Sequence, residues 1–525
     1  MECSCLRYTD LPNTTKLFAD FAYHFSRVSR FYEHSPHDAE SYKAAAAAVS
    51  LPDERRAALI SALRVQNPES ESLALLARPG TVAVVTGQQV GLFSGPAYTI
   101  YKALTAVKLA RELTARGTPA VPIFWLATED HDFAEINHCW TLSAESRPVK
   151  IEADGSLSSA QPVGGIPLAA PPVGLLRETL AGLPFGEEVA DLAAQSYTPR
   201  ETFGGAFRAL LERLLPGYGL LYVDPMLPAF RELAAPAIGR ALAIAPELTA
   251  KIKQRNAELA AAGYHAQVHV EDTTSLVFLI EQGKRLALRR HEDDYLSNGR
   301  KFSTAELADR AHELSPNALL RPVVQDSMLP TVAYVGGPAE LAYLAQSQPI
   351  YRAIVGHMPV VLHRSGFTLL DARSRKLLTR YGLRLQDLFE GGDELRQRIA
   401  ATLVPPAMAS AMNRAKAATE SSLDALASSM NGFDSTLLEA LQKSRRKMAY
   451  QLRKMERKIG RESLARESRS VDDAAWLEAL LYPEKHLQER LYTILPFLAR
   501  HGVDLIGHVY ENIRLDCPDH QLLAV

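Results

Sequence analysis

The sequence predicts an α/β protein whose core is a parallel β-sheet, with two insertions and a long helical segment. The first observation is a pair of short apolar runs, 81–85 and 121–126, typical of strands buried on both faces of a parallel sheet. The second is a glycine-rich loop between the first run and a helical pattern. The third is an apolar stripe at three- and four-residue spacing over 423–459, which predicts long helices.

The stretch 81–102 is predicted to form a strand, a glycine-rich loop and a helix. Pro96 stands where proline favours the first turn of a helix. Such a loop presents backbone N–H groups at the positive end of a helix, where phosphate or carboxylate binds. The glycine spacing matches neither GxGxxG nor GxxxxGK(S/T), so an anion site and an ordinary tight turn both fit. The candidate binding residues in this loop are Gly87, Gln88, Gln89, Gly91, Ser94 and Gly95.

Acidic residues follow the second predicted strand without a break. The run 121–126 leads into Glu129, Asp130, His131 and Asp132. Ligands of open α/β sheets bind beyond the carboxyl ends of the strands, so these four are the predicted catalytic residues. The three carboxylates could bind Mg²⁺ or a substrate ammonium group, and His131 could move a proton near neutral pH. The alternative is a solvated acidic loop that caps the next helix.

Other predicted strands also end in glycine or polar residues. The apolar run 332–335 precedes a second glycine turn and a proline, a pattern that repeats Gly95-Pro96 and suggests two loops facing one cleft. Arg364 follows another short strand and could clamp a carboxylate or phosphate, with a surface ion pair as the alternative. The predicted substrate- or nucleotide-binding residues beyond the first loop are Asp224, Arg321, Gln325, Asp326, Gly336, Gly337, Glu340, Arg364 and Ser365.

Length and composition restrict the class of protein. The 525 residues exceed one hydrophobic core and predict two to four domains. The net charge of −2 and a charged fraction of 22% give no global sign of nucleic-acid or membrane binding. Four scattered cysteines and an N-terminus without a basic start or apolar core predict a cytoplasmic protein. No zinc is expected, because His131, His138 and Cys139 lack a fourth ligand.

The helical segment carries one long apolar stripe. Its ten steps span 36 residues, a mean of 3.6, which is the period of a straight helix rather than a strict heptad. The stripe needs a partner helix, and we predict an antiparallel pair and a homodimer. The basic stretch 443–458 could be a solvated face or could bind an acidic partner such as RNA, and the first is favoured. The stripe consists of Leu423, Leu426, Met430, Phe433, Leu437, Leu441, Ser444, Met448, Leu452, Met455 and Ile459.

These patterns divide the chain into consecutive segments. The predicted segments are an N-terminal helical segment (1–75), the first part of the core (76–149), a first insertion (150–200), the second part of the core (201–262), a second, antiparallel insertion (263–315), the last part of the core (316–382), a helical coiled coil (383–480) and a helical tail (481–525).

Three motifs resemble those of a known family. They are TGQQVGLFSGP at 86–96, FWLATEDHD at 124–132 and VGGP at 335–338. With these motifs the chain resembles, over essentially its whole length, the cysteine-adding enzymes of bacillithiol biosynthesis, the BshC family. The resemblance implies a Rossmann-like core similar to class I nucleotidyltransferases and synthetases, two connecting-peptide insertions and a coiled-coil dimerisation domain.

The resemblance also implies a reaction. In the last step of the pathway, the carboxyl group of L-cysteine would be joined to the amine of glucosaminyl-malate. A free carboxylate must be activated for this, so ATP or another adenine nucleotide is expected, with Mg²⁺ as a candidate ion. The chain has no HIGH or KMSKS motif, and an adenylate or an acyl phosphate would both serve. The alternatives are a nucleotidyltransferase for another small substrate and a non-catalytic coiled-coil scaffold.

Overall fold

The computed structural model describes residues 3–68, 70–154, 160–430 and 435–525. The chain folds into two compact units. The core unit contains residues 1–369 together with 489–525, and the helical unit contains residues 370–488. The helical unit thus begins earlier than the predicted start at 383, because the amphipathic helix after residue 371 had the same pattern as the helices of the core.

The first part of the core unit combines helices with one strand that the sequence analysis missed. Its elements are β1 (Cys3–Leu6), α1 (Lys16–Tyr23), α2 (Ala39–Ala48), α3 (Asp53–Arg64) and α4 (Glu71–Leu76). β1 has four residues, too few to show the alternation of apolar and polar side chains that would predict a strand from the sequence. They are held by antiparallel pairing, Cys3 with Leu523, near the C-terminus of the chain.

The middle of the chain supplies three strands of the central sheet and the first insertion. Its elements are β2 (Val82–Gln88), α5 (Tyr98–Ala115), β3 (Ala120–Leu126), α6 (Phe133–Ile136), β4 (His138–Leu142), β5 (Pro148–Glu152), α7 (Val173–Leu180), α8 (Gly186–Ser196), α9 (Phe203–Leu214), β6 (Leu221–Val223), α10 (Pro228–Ala243) and α11 (Ala245–Ala261). The first insertion, predicted to be irregular with short strands, also contains the helices α7 and α8. Residues 155–159 of that segment lie outside the described part of the chain.

The second insertion is an antiparallel sheet, as predicted. In the described residues its strand order is β10-β9-β8-β7-β11. This part of the chain then returns to the core through α13, β12 and α14. The elements are β7 (Thr274–Glu281), β8 (Lys284–His291), β9 (Asp294–Ser297), β10 (Arg300–Ser303), α12 (Thr304–Asp309), β11 (Leu314–Pro316), α13 (Arg321–Met328), β12 (Thr331–Gly336), α14 (Pro338–Ile354), β13 (Val360–His363) and β14 (Phe367–Leu370).

The central sheet is parallel, which confirms the predicted fold class. Among the described residues five strands form it, in the order β13-β12-β2-β3-β6. β2 lies in the middle and pairs with β3 from Val82 opposite Ala120 to Gln88 opposite Leu126. β2 is buried up to its last residue and β3 throughout, as expected of strands covered on both faces. All five strands therefore end at the same edge, where ligands of such sheets bind.

The helical unit contains two long helices that run antiparallel. Its elements are α15 (Ala372–Arg380), α16 (Leu385–Leu388), α17 (Gly392–Thr402), α18 (Pro406–Ser429), α19 (Ser435–Ala465) and α20 (Ser468–Leu481). Lys416 of α18 pairs with Glu456 of α19 at 2.6 Å, and Asp424 of α18 pairs with Arg445 of α19. Because later residues of α18 meet earlier residues of α19, the predicted antiparallel pair is present within one chain.

Part of the apolar stripe is buried in this unit and part is not. Leu423 and Leu441 are 6% and 8% exposed, whereas Leu437 and Met455 are 40% and 50% exposed. Phe433 lies outside the described residues. The intrachain helix pair therefore leaves one side of the stripe open.

The chain ends in the core unit with α21 (Gln488–Leu491), α22 (Leu495–His501), α23 (Leu505–Asn512) and β15 (His520–Ala524). β15 lies between β1 and β14 in a small sheet. The sequence predicted only helices here. β15 was not predicted, because this strand forms by pairing with residues far away in the sequence. No helix in the described part of the chain is long and apolar enough to cross a membrane.

Candidate active site

A cleft with a volume of about 690 Å³ lies at the carboxyl ends of β2, β3 and β12 in the core unit. It is bordered by the two glycine turns, the acidic residues after β3 and the sheet of the second insertion. The cleft brings together ten of the residues predicted from the sequence, namely Gly87, Gln88, Gln89, Glu129, Asp130, His131, Arg321, Gly337, Glu340 and Arg364. It also contains residues that were not predicted, including Tyr98, Lys102, Trp125, Glu135, Phe278, Arg285, Tyr343 and Arg490.

A buried lysine joins the two glycine turns. Lys102 of α5 donates to the carbonyl oxygen of Gly87, to Gln88 Oε1 at 3.2 Å and to Glu340 Oε2 at 2.7 Å. Glu340 lies in the first turn of α14 and also accepts from the N–H of Gly337 at 2.8 Å. Burial lowers the pKa of Lys102, and Glu340 opposes this shift. β2 and β12 are neighbours in the sheet, so this ion pair fixes both turns at one edge.

Arg321 is a cation without a carboxylate partner. Its Nη2 donates to the hydroxyl of Tyr343 at 2.8 Å, and its Nη1 lies 3.4 Å from Gln325 Oε1. Among the described residues no carboxylate oxygen lies within 4 Å of its nitrogens. A guanidinium group with only neutral partners in a cleft is suited to bind an anion.

Arg364 is already neutralised, so it is not the free clamp that the sequence suggested. Its guanidinium forms a two-point ion pair with Glu489 at 2.9 and 2.6 Å, buried on both sides. The alternative of an ion pair was thus right, except that the pair is buried rather than on the surface. Arg364 and Arg490 lie 5.0 and 5.7 Å from the ring centre of Tyr98. Arg490 is exposed, and no carboxylate in the described part of the chain lies within 4 Å of it.

The acidic side of the cleft is organised around Gln89. Its Nε2 donates to Asp130 Oδ2 at 2.8 Å and to Glu135 Oε2. Because two carboxylates face the amide nitrogen, the amide oxygen of Gln89 is the group left for a ligand. The sequence analysis placed Gln89 in a loop that could bind an anion. Its surroundings instead favour an amine or another donor as its ligand.

Asp130 stays ionised in this setting. Burial raises its pKa, but the hydrogen bond from Gln89, the N–H of His131 and the charge of Arg285 outweigh burial and hold the pKa below its usual value. The N–H of His131 donates to Asp130 Oδ1 at 2.7 Å, and Arg285 Nη1 lies 3.3 Å from the same oxygen. A negative charge is therefore maintained at the end of β3.

Arg285 of β8 also decides the tautomer of His131. Its Nη1 lies 2.9 Å from His131 Nδ1. A guanidinium group can only donate, so Nδ1 accepts and the ring proton is on Nε2. Arg285 is fixed by Ser315 Oγ at 3.1 Å and the carbonyl oxygen of Pro316 at 2.9 Å. His131 lines the cleft, and with its proton on Nε2 the ring can act as a donor; its role as a base stays a prediction.

Glu129 is buried between the core and the second insertion. Its Oε2 accepts from Ser315 at 3.0 Å and lies 3.8 Å from Arg231, while its Oε1 has no hydrogen-bond partner in the described residues. Burial raises the pKa of this carboxyl, against the charges of Arg285 and Arg231. Glu129 thus adds a second, more deeply placed acidic group beside Asp130.

Of the three predicted magnesium ligands, Glu129 and Asp130 line the cleft and Asp132 does not. Asp132 turns away from the cleft and caps the short helix α6, where it accepts from the N–H of Glu135 at 3.3 Å. The capping alternative was therefore correct for Asp132. No group of three or more His, Cys, Asp or Glu side chains within the described ranges is arranged to hold a metal ion.

Several predicted residues of the first loop lie behind the cleft rather than in it. Ser94 is buried and its N–H faces the hydroxyl of Tyr197 at 3.4 Å. Gly95 has φ +63°, and a Cβ on Gly91 would lie 3.1 Å from the Cα of Gly95. Gly91 and Gly95 are thus required by the tight turn itself, which was the alternative to an anion site.

The remaining predicted residues outside the cleft have structural partners. Asp326 accepts from Tyr351 at 2.5 Å and Gln325 at 3.0 Å, and burial raises its pKa to about 6. Asp224 accepts from Thr128 and from the N–H of Met226. Gly336 and Ser365 are held by backbone contacts: the carbonyl of Gly336 accepts from the N–H of Arg364, and the N–H of Ser365 donates to Thr105.

The unpredicted residues of the cleft are mainly single aromatic and basic side chains within helices or strands. Lys102 has no glycine or acidic residue beside it, Arg285 lies in a strand after an ordinary hairpin turn, and their partners are up to 238 positions away. One signal was present for Lys102. It follows Pro96 by six residues, within two turns of a helix whose start was predicted to bind an anion.

Comparison with known proteins gives one consistent result. The family model described as "Bacillithiol biosynthesis BshC, N-terminal Rossmann-like domain" matches residues 1–365, and that for the "C-terminal coiled-coil domain" matches residues 367–525. A protein of Solibacter usitatus named "Putative cysteine ligase BshC" is 58% identical over 100% of both chains. Proteins of the same name from Koribacter versatilis and Symbiobacterium thermophilum are 34% and 32% identical, over 99% and 94% of each chain. The chain therefore belongs to the BshC family of bacillithiol biosynthesis.

Proposed function

We propose that this protein is a ligase that joins the carboxyl group of L-cysteine to the amine of glucosaminyl-malate in the last step of bacillithiol synthesis. Family membership and the name of the relatives support an enzyme of this class. The observation that carries the proposal is the division of one cleft into two halves of opposite character. Amide formation brings an amine and a carboxyl group together, and each has suitable partners here.

The basic half of the cleft is defined by Arg321, Arg490 and Tyr98. Both arginines lack a carboxylate within 4 Å among the described residues, so an incoming anion would meet unneutralised charge. The malate part of glucosaminyl-malate carries two carboxylates. A nucleotide phosphate has the same chemistry and is the other candidate for this half.

The acidic half of the cleft is defined by Gln89, Asp130 and Glu135, with Glu129 beneath. Asp130 is already paired with Arg285 at 3.3 Å, so the amide oxygen of Gln89 and the carboxylate of Glu135, which has no cationic partner within 4 Å among the described residues, are the groups that favour a positively charged or N–H-donating ligand. The ammonium group of cysteine and the amine of the sugar both meet this requirement. We assign the acidic half to the amino groups of the substrates.

The chemistry needs an activated carboxyl group. A carboxylate oxygen of cysteine would attack a phosphate of ATP or another adenine nucleotide, releasing pyrophosphate or ADP and leaving an acyl adenylate or acyl phosphate. The sugar amine then attacks the acyl carbon, AMP or phosphate leaves with the electron pair of the broken bond, and the nitrogen loses a proton. Mg²⁺, if it takes part, would neutralise phosphate charge of the nucleotide, with Glu129 and Asp130 as the candidate carboxylates of the cleft.

Incubation of the protein with ATP, L-cysteine and glucosaminyl-malate tests the proposal, with mass spectrometry of the products. A thiol-containing amide that requires all three compounds is the expected result. A nucleotidylated sugar without an amide would instead favour the nucleotidyltransferase alternative. No turnover of any substrate by folded protein would overturn the assignment as an enzyme and favour a scaffold.

We also propose that the helical unit forms a homodimer. Leu426, Leu437, Met448 and Met455 are each at least 40% exposed along α18 and α19. They belong to one periodic stripe, which indicates a continuous apolar face rather than scattered surface residues. A second copy of the same stripe is the occupant whose pattern matches it, and the family description of this part as a coiled coil supports this.

A further inference from the structure

We infer that Lys102 is a positioning residue for the anion-binding half of the cleft. Its ammonium group is 1% exposed and its three N–H bonds are all directed at protein oxygens, those of Gly87, Gln88 and Glu340. Lys102 therefore has no N–H left for a substrate. The inference rests on the proposed function, because it assigns Lys102 a role in binding the anionic substrate.

One side of the lysine controls Gln88 and Tyr98. Gln88 accepts from Lys102 through Oε1, so its Nε2 is directed to the hydroxyl of Tyr98 at 3.2 Å. The ring of Tyr98 in turn lies against Arg364 and Arg490. Without the lysine the amide of Gln88 could rotate, and Tyr98 would lose a fixed donor.

The other side of the lysine controls the surroundings of Arg321. Glu340 accepts from Lys102 through Oε2 and from the hydroxyl of Tyr334 through Oε1, at 2.7 and 2.6 Å. Tyr334 lies against Arg321, which also contacts Tyr343. A continuous set of hydrogen bonds thus runs from Tyr98 to Tyr334, with Lys102 at its centre. It holds in place the neighbours of the two cations that lack carboxylate partners.

Because Lys102 forms an ion pair with Glu340, variants of the pair can distinguish a role of Lys102 in positioning the cleft from a role in folding. Removing one member of a buried ion pair leaves an unpaired charge and is strongly destabilising, whereas replacing both by neutral groups of similar size is often tolerated. The double variant Lys102→Met/Glu340→Gln leaves the net charge of the cleft unchanged. The new amide can accept from the N–H of Gly337 through its oxygen and donate to the hydroxyl oxygen of Tyr334 through its nitrogen, but Gln88 and Gly87 lose their donor.

The test compares thermal stability with affinity for glucosaminyl-malate, measured by calorimetric titration. Lys102→Met and Glu340→Gln alone should each lower Tm. The double variant should recover most of the lost Tm yet bind glucosaminyl-malate roughly tenfold or more weakly, the effect of losing about one well-oriented hydrogen bond or more. Lys108→Met is the control, since Lys108 lies in the same helix over the ring of Tyr510 and outside the cleft.

The outcomes separate this inference from the proposed function. Recovery of both Tm and affinity in the double variant would show that Lys102 serves only the fold, and would overturn the inference alone. Wild-type protein that binds neither glucosaminyl-malate nor ATP would overturn the proposed function and the inference with it. If the single variants do not fold, the double variant and the Lys108→Met control decide the question by themselves.

Discussion

Replacing Arg321 by methionine should remove the main anion contact of the cleft. The guanidinium group of Arg321 donates one hydrogen bond to Tyr343 at 2.8 Å and lies 3.4 Å from Gln325 Oε1. Tyr334 is a third neutral neighbour of the group. A planar guanidinium group is suited to bind a carboxylate or phosphate in two-point geometry. Hydrogen bonds to charged groups contribute about 1.5–3 kcal/mol each. Loss of about 3 kcal/mol of binding free energy corresponds to roughly a hundredfold increase in Kd.

The fold should be affected much less than binding. Arg321 has no ion pair among the described residues, so its loss leaves no unpaired carboxylate behind. Arg321→Lys keeps the charge but loses the planar fork, and we expect roughly a tenfold increase in Kd. Arg116→Met is the matched control, because Arg116 forms an exposed ion pair with Glu112 at 3.0 Å, far from the chemistry of the cleft.

Calorimetric titration with glucosaminyl-malate and, separately, with ATP is the assay. The ligand whose affinity falls in Arg321→Met is the one whose anionic group occupies the basic half. Since surface charges are screened by salt and partly buried ones much less, the effect should persist at raised ionic strength. Affinities for both ligands within about twofold of wild type would refute the assignment of the basic half.

Three further predictions follow from the described geometry. Leu437→Asp should give monomers, because it places a charge on the exposed apolar stripe; a variant that sediments as a dimer would exclude this face. Asp130→Asn and His131→Ala should each reduce turnover roughly 10²-fold with the fold nearly intact. His131→Gln should retain much of the turnover if the ring acts as a hydrogen-bond donor, because an amide can also donate. An equal loss of turnover in both His131 variants would contradict the donor role. Burial raises the pKa of Asp326 to about 6 in the folded protein, against 3.8 for the unfolded chain. Its protonation therefore stabilises the fold fully below pH 3.8, and this contribution is lost as the pH rises through about 6. The dependence of Tm on pH should lack that change in Asp326→Asn, and a profile like that of the wild type would contradict the prediction.

Much of the core could be predicted because its signals are local. The runs that became β2 and β3 are almost wholly apolar, as is typical of strands covered on both faces. The repeated glycine-proline pattern also predicted correctly that two turns share a cleft. Gln88 and Gly337 both line it, joined through Lys102 and Glu340.

The sequence could not tell which residues of a turn face the ligand. Gly91 and Gly95 are needed for the backbone path, whereas Gln88 and Gln89 reach the cleft, and all four belong to the same predicted loop. The direction in which a side chain points depends on neighbours from distant segments. Gln89 illustrates this, because its amide nitrogen donates to Asp130 and Glu135 and leaves its oxygen, an acceptor, in a loop that was a candidate anion site.

Charge neutralisation was also invisible in the sequence. Arg364 was chosen as a free clamp, but Glu489, 125 positions later, pairs with it in the fold. Arg321 was also among the predicted binding residues, and it has no carboxylate partner in the part of the chain that the structure describes. The difference between a structural cation and a binding cation is set by long-range contacts.

The central claim is that the cysteine carboxyl group is activated by a nucleotide and then joined to an amine. Isotope transfer tests it most directly, with L-cysteine carrying oxygen-18 in both carboxyl oxygens, ATP and glucosaminyl-malate. The account predicts that one labelled oxygen stays in the amide product and the other appears in AMP or inorganic phosphate. Displaced label found only in water, or amide formed without any nucleotide, would contradict it.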